Sequence, residues 1–116
     1  MTLRELAAKL EGEVLTPSVN LDVEVPCAFS SDLISDILMC TKESTLLLTG
    51  LTNPQVIRLS DMIDLVGIVF VRGKRPTDEL IEMAEERELV LISTQYTMYR
   101  SSGILFQEGL RSCKIQ

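Results

Sequence analysis

The sequence predicts an α/β fold, a mainly parallel sheet with helices on both faces, and three observations carry that expectation. From Ser44 onward one unit recurs three times: a short apolar strand, a polar turn and an amphipathic helix. The repeats are "STLLLTG" into "TNPQVIRLSDMID", "LVGIVFVRG" into "PTDELIEMAEERE", and "ELVLISTQ" into "YTMYRSSGILFQEG". These strands are apolar on both faces, as strands become when helices cover both sides of a parallel sheet. Strands that alternate with helices imply right-handed crossovers between parallel neighbours. At 116 residues the chain suits one domain, with no linker or low-complexity tract, since single cores commonly run to roughly 100–200 residues.

Each element has its own signal. Leu3, Leu6, Ala7 and Leu10 recur at helical spacing between Thr2 as N-cap and Gly12 as stop, which predicts a helix over Thr2–Glu11. An extended piece follows at Val14 and Leu15, then a turn around Pro17 and Asn20. "VEVPCAFSS", Val23–Ser31, alternates enough for a strand, and Pro26 points to a sheet edge or an early stop. Ser30 or Ser31 then caps a helix over "DLISDILMC", with Leu33, Ile34, Ile37 and Leu38 on one face. Asn53 is a good N-cap with Pro54 at the first helical position. Asp78 and Glu79 favour the positive end of the next helix, whose carboxylates lie opposite Leu80, Ile81, Met83 and Ala84.

Composition narrows the function. Apolar residues make up 46% of the chain with 4% aromatics and no Trp, so the core is aliphatic. Eleven Lys and Arg against 17 Asp and Glu give a net charge of −6, which repels a nucleic-acid backbone. The longest apolar run, Leu65 to Val71, is far short of the roughly 20 residues that span a bilayer, so no membrane segment is expected. Cys27, Cys40 and Cys113 are too far apart for a C-x-x-C pair, and no His completes a zinc set. We read them as reduced, mostly buried thiols, consistent with a cytoplasmic protein. The lack of His also removes the commonest general base at neutral pH. No nucleophile with a partner can be named, and neither catalysis nor a cofactor is expected.

The stretch "VGIVFVRGKRP" superficially suggests a phosphate loop. A Walker A loop needs four residues between its glycines and a hydroxyl after its lysine; here five separate Gly67 from Gly73, and Arg75 follows Lys74. The stretch is read instead as a buried strand opening onto a polar turn. In open parallel sheets ligands bind where the strand carboxyl ends, loops and helix N-termini converge. That edge would collect Thr49, Gly50, Thr52 and Asn53, then Arg72, Gly73, Lys74 and Arg75, then Ser93, Thr94, Gln95, Tyr96 and Thr97. From these, Thr49, Gly50, Asn53, Arg72, Gly73, Lys74, Ser93, Thr94, Tyr96 and Thr97 are the candidate ligand-binding residues, two of the edge's three cations among them to attract an anion. The same hydroxyls and glycines also suit helix caps and turns, the cations a solvated loop or an ion pair with the following helix, and Tyr96 either a stacking platform or an anchor for the last helix.

The runs "LLLTGLTNPQ" and "GIVFVRGKRPTDELIEMAEERELVLISTQYTMY" resemble the DRTGG domain, a small α/β module related to the N-terminal domain of HPr kinase/phosphorylase. The most specific part is "LISTQYTMY". The resemblance covers about Cys27 to Gly109 and leaves residues 1–26 as an N-terminal helix and extended lead-in. Where the name-giving Asp-Arg and Thr-Gly-Gly should stand, this chain has "GLT" near Gly50 to Thr52 and "VRG" at Val71 to Gly73. The family also resembles pieces within phosphate acetyltransferases and between the CBS domains of regulated pyrophosphatases, which implies a regulatory or structural role.

The expected function is therefore a stand-alone, non-catalytic regulatory module that binds a small anionic ligand, a nucleotide or other phosphorylated compound among the candidates, at the carboxyl edge of its sheet. The alternative is an interaction domain that forms a homodimer or docks on a partner enzyme through the first helix and the C-terminal helix, where Ile104, Leu105 and Phe106 stand in succession. Arg72→Ala and Lys74→Ala are expected to fold normally and lose the ligand, and Arg87→Ala to change neither property.

Overall fold

The computed structural model describes residues 1–40 and 44–115. Its elements run α1 (Leu3–Lys9), β1 (Glu13–Val14), β2 (Cys27–Ser30), α2 (Ile34–Ile37), β3 (Thr45–Thr49), α3 (Pro54–Arg58), a 3₁₀ turn (Leu59–Asp61), β4 (Leu65–Phe70), α4 (Asp78–Glu86), β5 (Val90–Ser93), α5 (Met98–Gln107) and β6 (Arg111–Ser112). The sheet order is β1-β5-β4-β3-β2-β6. All neighbours are parallel except β1 on β5, which is antiparallel. This is the α/β fold the strand pattern predicts.

The layers follow from a handedness rule. Strands β2 to β5 step across the sheet in one direction, and their crossovers α2, α3 and α4 share one face. There Ile37, Val56, Ile57, Leu80, Ile81 and Ala84 bury against Leu47, Ile68, Phe70 and Leu91. The chain then returns across the sheet from β5 to β6, and a right-handed return must use the other face. Helix α5 therefore lies beside α1, and Leu3, Leu6, Leu10 and Leu105 pack on Leu46, Leu48, Val69, Val90 and Ile92. Adjacent residues of β3, such as Leu46 and Leu47, thus serve opposite cores, which is why the strand reads as a continuous apolar run.

Several expectations are corrected at the element ends. The strand expected over Val23–Ser31 begins only at Cys27, because Val23 and Val25 bond instead to the N-terminus: Leu3 N–H donates to the Val23 carbonyl, and Val25 N–H to that of Met1. The helix expected over Asp32–Cys40 shrinks to one turn capped by Leu33. Ser31 Oγ accepts the Leu33 N–H, whereas Ser30 Oγ is engaged with Ser102 Oγ 2.7 Å away. The helix expected over Thr52–Asp64 is α3 followed by the 3₁₀ turn. Elsewhere the caps stand where expected: Thr2 forms a capping box with Glu5, and Asn53 Oδ1 accepts the Val56 N–H. Helix α1 is wholly internal on its apolar side, with Leu3, Leu6 and Leu10 at 0% exposure.

The cysteines are also corrected. Cys27 of β2 and Cys113, just beyond β6, form a disulfide across 86 residues of sequence. The thiol reading failed because spacing says nothing of how a crossover returns the chain. Register brings Cys27 opposite Arg111, and Cys113 N–H donates to the Ala28 carbonyl. The case for a reducing cytoplasm loses its footing with that bond. Cys40 remains a buried thiol, pushed above its usual pKa by burial. Among the described residues, no helix is long and apolar enough to cross a membrane.

Candidate anion-binding site

The carboxyl ends of β3, β4 and β5 bring the three predicted turns to one edge of the sheet. The middle turn, Val71 to Lys74, is closed by a bond from Lys74 N–H to the Val71 carbonyl at 3.1 Å. Both central residues have positive φ, 57° at Arg72 and 69° at Gly73, as type I′ geometry requires. Gly73 suits its φ of 69°, and its open face takes the Gln95 side chain, whose Oε1 would stand 2.8 Å from a Cβ. The turn is tied to the next loop by Arg72 N–H to the Tyr96 carbonyl and Gly73 N–H to the Thr94 carbonyl, at 2.8 and 2.7 Å. Backbone bonds thus fix where the Arg72 and Lys74 side chains start.

Most of the candidate hydroxyls are occupied with structure. Thr94 is buried; its Oγ1 donates to the Leu10 carbonyl at 2.7 Å and accepts the Tyr96 N–H. Ser93 Oγ donates to the Lys74 carbonyl, and Thr97 Oγ1 caps α5 by accepting the Arg100 N–H. Asn53 caps α3. Tyr96 is an anchor: its hydroxyl bonds Glu11, which raises its pKa, and the Arg100 guanidinium covers its ring at 3.9 Å. These residues take the capping and anchoring roles their types also suited.

The cations divide. Arg75 is committed to Glu13 of β1 at 2.8 Å, an ion pair with a different element from the acidic helix that sequence suggested. Arg72 and Lys74 are exposed and, among the described residues, make no ion pair. Sequence reasoning missed Asp32, in the loop after β2. Its Oδ1 accepts the Thr49 hydroxyl at 3.0 Å and the Gly50 N–H at 2.6 Å, which ties the loops after β2 and β3 together and leaves Oδ2 open on the Gly50 side. The position just above Gly50 is 3.6 Å from Asp32 Oδ2 and 3.9 Å from Arg72 Nη2. Gly50 therefore sits between a carboxylate and a guanidinium. The only advance signal was a carboxylate two residues past a strand end. Gly67, the first glycine of the phosphate-loop look-alike, lies inside β4, where a Cβ would stand 3.1 Å from Leu3 Cδ2.

No protein-family model matches the sequence, and no curated protein matches it. Among solved structures the chain is similar to the CBS and DRTGG domains of the regulatory region of Clostridium perfringens pyrophosphatase, complexed with its activator diadenosine tetraphosphate. The TM-score is 0.75 at 16% identity, over 91% of this chain and 46% of that one. The chain spans less than half the length of that structure. The fold is DRTGG-like.

Proposed function

We propose that the chain is a non-catalytic regulatory module that binds a nucleotide at the carboxyl edge of its sheet. The observation that carries this reading is the Val71–Lys74 turn, which presents Arg72 and Lys74, two exposed cations that make no ion pair among the described residues, with Arg72 in the left-handed region. A non-glycine residue is uncommon there, and local strain of this kind clusters at ligand sites. Asp32 refines the ligand class. A carboxylate across Gly50 from the Arg72 guanidinium disfavours a bare phosphate but suits a nucleoside phosphate, whose ribose hydroxyls can donate to an acidic group while the phosphates meet the cations, as in other open α/β sheets. The pyrophosphatase region of like fold is complexed with a nucleotide activator, which supports the same ligand class. A regulatory role implies a partner enzyme that reads the bound state.

Thermal shift with AMP, ATP, diadenosine tetraphosphate and inorganic phosphate tests the proposal. A nucleotide at about a hundred times its dissociation constant stabilises by about 2.7 kcal/mol. Asp32→Ala should weaken nucleotides and leave any inorganic phosphate binding unchanged. No shift with any of the four probes would sink the reading.

A second reading, self-association with no small ligand, is favoured by a separate observation: Tyr99 and Phe106 of α5 are 90% and 74% exposed.

A further inference from the structure

Helix α5 lies over β3 and leaves a groove of about 720 Å³ between itself and β2, a volume within the roughly 300–1,000 Å³ of small-molecule sites. Ala28 and Ser30 line it from the strand, and Tyr99, Arg100 and Gly103 from the helix. Its lining holds no carboxylate, in a chain of net charge −6. The groove abuts the anion site: Ser30 and Leu48 belong to its lining, and two residues beyond each, about 7 Å along a strand, stand Asp32 and Gly50.

We infer that this groove seats the base of the bound nucleotide. Covalent order sets the direction. Phosphates on the turn after β4 and a ribose at Asp32, after β2, lay the ligand across the sheet edge from β4 over β3 to β2, and the base, on the far side of the ribose, continues to the β2 side where the groove opens. What lines the groove suits a base. Arg100 is exposed, makes no ion pair among the described residues, and is held over the Tyr96 ring at 3.9 Å; its guanidinium is a planar group that stacks on aromatic faces. Ser30 Oγ and Ser102 Oγ, 2.7 Å apart, share one hydrogen bond, so one of their two hydroxyl protons remains to donate to a base nitrogen. Gly103 keeps the mouth open. A Cβ there would meet nothing within 4 Å and its φ is not positive, so neither packing nor backbone explains a mid-helix residue that is the poorest helix former after proline.

The inference rests on the nucleotide reading above, and the experiment separates the two. Isothermal titration of the whole chain with ATP and with tripolyphosphate is the measurement. Gly103→Leu fills the mouth of the groove from an exposed position, so it should weaken ATP at least about tenfold, the scale of one lost base stack, and leave circular dichroism and any tripolyphosphate binding unchanged. The chain has no Trp, so Tyr99→Trp, at an exposed side chain, supplies a single reporter whose emission ATP should quench and tripolyphosphate should not. Wild-type affinity for ATP in Gly103→Leu would overturn the base seat and leave the nucleotide reading standing, as would ATP bound to Tyr99→Trp without a change in emission. A wild-type chain that binds no ATP would overturn both. If Gly103→Leu misfolds, the Tyr99→Trp emission decides.

Discussion

Arg72→Gly removes a cation and a backbone strain together, so stability and nucleotide affinity should move in opposite directions. Arg72 holds φ at 57°, a region that costs an L-residue about 1–2 kcal/mol and glycine nothing. Glycine in turn loses about 0.5–1 kcal/mol through its freer unfolded chain. The exposed side chain makes no ion pair among the described residues, and truncating such a group shifts stability by no more than about 0.5 kcal/mol. The net runs from a loss of about 0.5 to a gain of about 2 kcal/mol, centred on a gain, or up to about 8 °C in Tm at roughly 4 °C per kcal/mol for a chain this size. Affinity for ATP should fall about tenfold or more, because a charge-assisted hydrogen bond contributes about 1.5–3 kcal/mol. Arg72→Ala keeps the strain, so it should bind as poorly as Arg72→Gly and melt below it. Scanning calorimetry and isothermal titration on the two variants give both readouts. A fall in Tm of more than about 2 °C for Arg72→Gly would refute the strain assignment, and unchanged affinity in both would remove Arg72 from the site.

Replacing Cys27 and Cys113 together with Ser should cost about 4–5 kcal/mol on the chain-entropy estimate for an 86-residue separation; native mass spectrometry showing both thiols free would contradict the bond. Thr94→Val leaves the Leu10 carbonyl and Tyr96 N–H without their partner and should destabilise by about 1–3 kcal/mol with no specific effect on ligand, measured by urea unfolding. Arg87→Ala should destabilise as well, against the expectation from sequence: its guanidinium holds both carboxylate oxygens of Asp61, at 3.1 and 3.2 Å, and so clips α4 to the 3₁₀ turn. The Arg87 bonds depress the Asp61 pKa, and Arg4 does the same to Asp22. A depressed folded pKa adds stability that is complete above the unfolded carboxylate value near about 4 and lost as pH falls through the folded value. Urea midpoints should therefore drop below about pH 4, less steeply in Asp61→Asn and in high salt.

Strand and helix order was legible from Ser44 onward because each turn there announces itself locally, as Asn53-Pro54 does for α3 and Thr77-Asp78 for α4. What escaped was non-local. β6 has two residues and no periodicity, and exists because the return crossover delivers Leu110 to Ser112 to the free edge of β2. The disulfide depends on that delivery, so the cysteine reading failed with it. In the candidate site, the residue types were placed at the correct edge, but sequence could not say which were spoken for. Thr94 and Tyr96 looked like ligand groups until α1 supplied the Leu10 carbonyl and Glu11, partners more than 80 positions away. Asp32 was read as part of a helix, and its role appeared only when β2 and β3 were paired.

Both rims of the sheet end in strands of two residues, β1 and β6. A rim that short offers an incoming extended chain hardly one pair of ladder bonds before the backbone turns away, and natural sheets use short edges to block templated growth. Folded molecules should accordingly be poor seeds for fibrils, even though β3 and β4 are the kind of apolar, charge-free segments that zip together when exposed. Polymerisation would have to pass through chains whose rims had already peeled off. Agitation with reductant should thus shorten the lag before thioflavin fluorescence rises, since the covalent clamp beside β6 is what keeps that rim in place.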